Sequence, residues 1–130
     1  MQISIVNSIS EIERVHQWFH QLSEGQIDNL ELIRKMNVVI DEVLTNIINH
    51  GTARSIDVDC QVGNESIKLV FKDKGSRFDP LSHDSTPVIK SLENQQEGGL
   101  GIHLIKSFAD EVNYARKGDT NVLVIRKFVH

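Results

Sequence analysis

Cysteine, proline, aromatic residues and long runs of any kind are scarce in this 130-residue chain. The single cysteine, Cys60, excludes an internal disulfide. It falls in phase with Ile56, Val58 and Val62, which marks it as a small buried apolar side chain rather than a nucleophile. No Lys/Arg run exceeds a dipeptide and the net charge is −4, so the footprint of a phosphate backbone is missing and nucleic acid is excluded as a partner. No apolar stretch approaches the ~18 residues that cross a bilayer, and the first residues alternate instead of forming a signal-peptide core. The expectation is a cytoplasmic protein with no membrane partner. Apolar residues make up 39% of the chain, enough for one core, so residues 1–130 read as a single domain. The two prolines, Pro80 and Pro87, fall in one segment, and no repeat, linker or low-complexity tract interrupts the rest.

What is present is periodic. Met1 to Asn7 predicts a short strand with Ile3 and Ile5 on one face, and Ser8-Ile9-Ser10-Glu11 has the spacing of a capping box. Ile9, Ile12, Val15, Phe19 and Leu22 then form a helical stripe that Gly25 ends. Asp28, three residues before Glu31, offers a second cap, and Ile33, Met36, Ile40, Val43 and Ile47 predict a long helix to His50, stopped by Gly51. Ser55–Val62 and Ser66–Lys72 alternate as strands joined by a Gly63-Asn64 turn. Gly75 to Gly98 holds no period and reads as a long functional loop. A short helix with Ile102, Ile105 and Phe108 follows, then strands around Asp110–Arg116 and Asn121–Phe128 with a Gly118 turn. The order predicts an α+β two-layer sandwich with helices on one face of a mixed, mostly antiparallel sheet.

Three features carry chemistry. At 100° per residue, Asn46 and Asn49 lie within about 40° of Glu42, while the apolar stripe is centred roughly 140° away. The three polar groups therefore share a face expected to point away from the core. Thr45, Asn46 and Asn49 are mediocre helix formers, and a merely solvated face would use Glu and Lys instead. His50 suits a helix C-terminus through the dipole and needs no catalytic role. The second feature is Asp73-x-Gly75 at a strand exit, where glycine permits close backbone approach. The third is Gly98-Gly99-Leu100-Gly101 opening a helix, which can offer backbone N–H groups to an anion. No Gly-Lys-Ser/Thr follows it, so it is not a Walker A loop.

In this order, Glu42-x-x-x-Asn46, Asp73-x-Gly75 and Gly98-Gly99-Leu100-Gly101 resemble the N, G1 and G2 boxes of the GHKL (Bergerat-fold, HATPase_c) ATPases. Phe78-Asp79-Pro80, the run from Gly98 to Lys106 and Asp110 to Tyr114 resemble the anti-sigma-factor serine/threonine kinases of that superfamily. The resemblance extends from about Ile9 to Lys127. It implies ATP and Mg2+ as cofactors, with Asn46 holding the metal through its amide oxygen and Asp73 the adenine amine. Gly75 would lie against the base, Gly98, Gly99, Leu100, Gly101 and Ile102 would surround the phosphates, and Asn49 and Phe78 would border the nucleotide. Glu42 would face the attacking hydroxyl, as the catalytic residue. One neutral Asn suffices for magnesium, which commonly keeps waters and substrate phosphates. Two departures stand out. Ser76-Arg77-Phe78 replaces a second G1 glycine, and Asn49 stands where histidine kinases often carry a lysine, leaving Arg77 or Lys90 to supply positive charge or simply to be solvated.

The function the resemblance implies is a partner-switching kinase. It would phosphorylate a STAS-domain anti-anti-sigma protein, act as an anti-sigma factor on a sigma factor or other client, and form a homodimer. The alternative is a non-catalytic, nucleotide-dependent binding switch. The ATPase half of a histidine kinase is disfavoured, because Met1 to Gln26 is too short for a hairpin presenting a phospho-accepting histidine.

Overall fold

The computed structural model describes residues 1–79 and 100–129. In chain order these form β1 (Gln2–Val6), a 3-10 turn (Ile9–Glu11), α1 (Ile12–Ser23), α2 (Leu30–His50), β2 (Ser55–Val62) and β3 (Ser66–Asp73). After these come α3 (Leu100–Phe108), β4 (Glu111–Lys117) and β5 (Thr120–Phe128). The strands make one sheet in the order β1-β2-β3-β5-β4, and each of its pairings is antiparallel. The architecture is the expected α+β sandwich.

One face of the sheet is covered. Ile56, Val58 and Cys60 of β2, Ile67, Leu69 and Phe71 of β3, and Leu123 and Ile125 of β5 share one buried cluster with Val15 and Phe19 of α1 and the apolar side of α2. Burying each such side chain contributes about 1.5–3 kcal/mol. Cys60 belongs to this layer, and burial pushes its thiol up to about 12.

Local details differ from the sequence reading where a neighbour one residue away makes the better bond. Ser8 caps the 3-10 turn by accepting from the Ser10 N–H, and Glu11 reaches back to the Val6 N–H at 3.3 Å. That turn swings Ile9 out, so Ile9 is exposed and the buried stripe begins at Ile12. Asn29, not Asp28, caps α2, its Oδ1 accepting from the Leu32 N–H at 3.1 Å. The β2–β3 hairpin turns on Asn64-Glu65 instead of Gly63-Asn64, because the Gly63 N–H already pairs with the Ser66 carbonyl at 2.9 Å.

The face of α2 also differs. Asn46 is only 2% exposed, lying among the buried Val43, Leu44 and Ile47. The helix meets the sheet layer on one side and α1 and α3 on others. Its covered arc is therefore wider than the five-residue stripe suggested. Glu42 is half-buried at the margin of that arc, and Asn49 is exposed.

Candidate functional site

Asp73 ends β3 with its side chain on the covered face of the sheet, in register with Asn121 of β5, which is in turn in register with Arg116 of β4. Alternation thus places a carboxylate, an amide and a guanidinium in one cross-strand row. Asp73 is 6% exposed and Asn121 4%, so their polar atoms need partners, and they find them in the turn that follows β3.

Asp73 Oδ1 accepts from the Gly75 N–H at 3.0 Å and from Asn121 Nδ2 at 2.9 Å. Among the described residues its other oxygen accepts nothing. Asn121 Nδ2 also donates to the Ser76 carbonyl at 2.8 Å. Asn121 Oδ1 accepts from Tyr114 Oη at 2.6 Å, the Phe78 N–H at 3.2 Å and Arg116 Nη1 at 3.2 Å. Arg116 Nη1 donates to the Gly75 carbonyl at 2.7 Å. From the opposite side Thr52 Oγ1 accepts from the Ser76 N–H at 2.7 Å. The Gly75–Phe78 turn is thus fastened on both flanks.

Gly75 is required by this packing. A Cβ there would lie 2.6 Å from the Ala53 nitrogen and 2.9 Å from Thr52 Oγ1. The loop after α2 therefore occupies the space that a side chain would need. The same turn touches the end of α2, where the rings of Phe78 and His50 stand 6.1 Å apart.

Asn46 lies one turn earlier on α2, about 6 Å along the helix axis from His50. Its Nδ2 is buried without a hydrogen-bond partner among the described residues. An orphaned buried donor of this kind costs about 1–3 kcal/mol, which a ligand oxygen would recover. Rotating the amide by half a turn aims Oδ1 at the same space, so the group fits either a phosphate oxygen or a hard cation. Among the described residues no cluster of three His, Cys, Asp or Glu could hold a metal ion. A cation at Asn46 would complete its shell with phosphates and water. Burial raises the Glu42 carboxyl above its ordinary value, and the neighbouring Asp41 charge adds to the rise. Such a carboxylate is a better proton acceptor than an exposed glutamate.

Gly98, Gly99 and Lys90 lie outside the described residues. Leu100, Gly101 and Ile102 open α3, as the sequence reading had it.

The histidine kinase-like ATPase domain family matches residues 6–127. The chain belongs to that family. Among similar curated proteins, this ATPase domain is 29% identical over 94 residues to the serine/threonine-protein kinase BtrW of Bordetella bronchiseptica, covering 69% of this chain and 66% of the relative. It is 25% identical over 110 residues to the anti-sigma F factor of Clostridium novyi, covering 79% and 77%. It is 32% identical over 98 residues to the serine-protein kinase RsbW of Staphylococcus aureus, covering 68% and 62%. The chain thus spans just under two thirds of BtrW and of RsbW.

Within this ATPase domain the sequence reading missed Asn121, Arg116, Tyr114 and Thr52. Asn121 carried a usable signal. It is in phase with Leu123 and Ile125 on the core-facing side of β5, where Lys127 at the far end of the strand is the other polar residue and only Asn121 is buried. Thr52 carried none, because its role comes from a loop meeting a turn 24 residues later.

Proposed function

We propose that this chain is an ATP-dependent serine/threonine protein kinase of a partner-switching system. In this reading it phosphorylates a STAS-domain anti-anti-sigma protein and holds a sigma factor or other client as an anti-sigma factor. It works in the cytoplasm as a homodimer. The observation that carries the reading is the pairing on α2 of a half-buried carboxylate of raised pKa, Glu42, with a buried and unpartnered amide one turn on, Asn46. A purely structural helix face needs neither. The names of the bacterial relatives, two of them kinases and one an anti-sigma factor, support the choice among ATPase chemistries.

Bound Mg-ATP would supply the phosphoryl group and neutralise its charge; the chain's own residues do the positioning. Asp73 presents its free oxygen to the adenine amine, and Asn121 fixes the rotamer that leaves that oxygen free. Asn46 turns its amide to the phosphates and their cation. Glu42 takes the proton of the partner's hydroxyl as the new P–O bond forms and the bond between the β- and γ-phosphates breaks, its electron pair leaving with ADP. Gly98, Gly99, Leu100, Gly101 and Ile102 would surround the phosphates, as the resemblance to the GHKL ATPases implies.

Incubation with labelled ATP, magnesium and a STAS-domain partner tests the proposal. Label should appear on a serine or threonine of the partner and vanish with Glu42→Ala and Asn46→Ala. Normal nucleotide binding with no partner ever labelled would replace the kinase by a nucleotide-dependent binding switch.

A further inference from the structure

On the opposite, outer face of the sheet lies a cleft of about 750 Å³. Arg54, Lys72, Lys74 and Lys117 line it. The same alternation that turns Asp73 towards the helices turns Lys72 outward, with Lys74 beyond the end of β3. Lys117 joins them because it is in register with Thr120 at the hairpin between β4 and β5, and both residues border the cleft. All four cations are exposed. None makes an ion pair or a side-chain hydrogen bond among the described residues.

Two carboxylates, Asp57 and Asp73, share the lining with these four cations and offset part of their charge. Asp57 stands opposite Lys72 in the β2–β3 register and accepts from Ser4 Oγ at 2.5 Å, while Asp73 Oδ1 is bonded on the other face of the sheet, so four cations face two carboxylates. The cleft is therefore net positive in a chain of net charge −4. The surplus of positive charge over the two carboxylates attracts an anion to the cleft.

We propose that this cleft is a second anion site that binds a small molecule carrying several phosphates. Its volume lies in the ~300–1,000 Å³ range of small-molecule sites. Three of the four cations are lysines, compact point charges that suit phosphate oxygens arriving from varied directions. Docking of a protein segment would call for aromatic or large apolar anchors, and the lining offers only Ala53 and Val122. Thr52 lines the cleft and also fastens Ser76, so an occupant touches the back of the turn that Asp73 organises. The proposal does not depend on the kinase reading.

Inorganic tripolyphosphate, titrated without magnesium into the isotopically labelled full chain and followed by backbone amide resonances, tests it. Saturable shifts are expected at residues 52–57, 72–74 and 117–120, with affinity that falls as salt rises. The double variant Lys72→Gln/Lys117→Gln should weaken that binding at least tenfold while the remaining resonances keep their positions. The proposal is overturned by shifts confined to residues 42–49 and 100–108. It is equally overturned by equal shifts at the distant Lys35, Lys68 and Lys127, or by unchanged affinity in the double variant. Tighter binding of hexaglutamate than of tripolyphosphate at the same residues would overturn it in favour of an acidic protein segment.

Discussion

Asn121 Nδ2 stands 2.9 Å from Asp73 Oδ1, the same oxygen that takes the Gly75 N–H, so the two strands decide together which carboxylate oxygen stays available. Asp73→Asn keeps an acceptor for Asn121 and Gly75 but loses the charge and can turn its amide the wrong way. Nucleotide affinity should fall roughly tenfold to a hundredfold, the range of one charge-assisted hydrogen bond. The melting temperature should move by only a few degrees. A folded variant with unaltered affinity for a fluorescent ATP analogue would remove Asp73 from the adenine site.

At Gly75 the expected defect is in packing first. An alanine would press its Cβ against the Ala53 backbone at 2.6 Å, which the loop relieves only by shifting. Gly75→Ala should lower stability by about 1–3 kcal/mol, the usual range for overpacking, visible in the urea midpoint. An unshifted midpoint would mean that the 52–53 loop yields freely.

Glu42 links pH to both stability and rate. Its folded pKa is raised, so below the ordinary value of 4.5 it is protonated in both states and costs nothing. As pH rises the unfolded chain ionises first, and the native state loses stability until pH passes the folded pKa. Glu42→Gln should therefore unfold at a higher temperature than the parent at neutral pH, with the advantage shrinking near pH 4. Asp41→Asn removes the lesser cause of the shift. The acid limb of the phosphorylation rate should move to lower pH in that variant, and a stationary limb would take Glu42 out of proton transfer.

Asn46 should show stability and function in opposition. Asn46→Leu removes an unpartnered buried donor and keeps the same branched heavy-atom skeleton, so it is expected to raise the melting temperature while nucleotide binding is lost. A variant that melts lower would show that the amide already has a partner in the free protein.

Cys60 is 2% exposed with its thiol pushed up to about 12, so neither access nor ionisation favours reaction. A thiol reagent at pH 8 should label it only in denaturant. Rapid labelling of the native protein would contradict its place in the sheet.

Element existence was legible in the sequence because each element carries its own period. The stripes from Ile12 to Phe19 and from Met36 to Ile47 repeat at helical steps, and β2 and β3 alternate, so local spacing alone specifies which side must be buried. The order of Glu42, Asn46, Asp73 and Gly75 is likewise legible in the sequence. Boundaries were less legible, because Asp28 and Asn29, or Gly63 and Asn64, differ by a single hydrogen bond that sequence does not rank.

Tertiary structure alone decided the rest. Asn46 is buried because α2 is covered on more than one side, which its own periodicity cannot reveal. Asp73, Asn121 and Arg116 meet because antiparallel register sets Asp73 beside a hairpin that lies more than forty positions later in the chain. The outer cleft gathers its cations from the segment before β2, from β3 and its end, and from the β4–β5 hairpin for the same reason. Spacing along a chain fixes which way a side chain faces, but hydrogen bonds between distant strands fix what it faces.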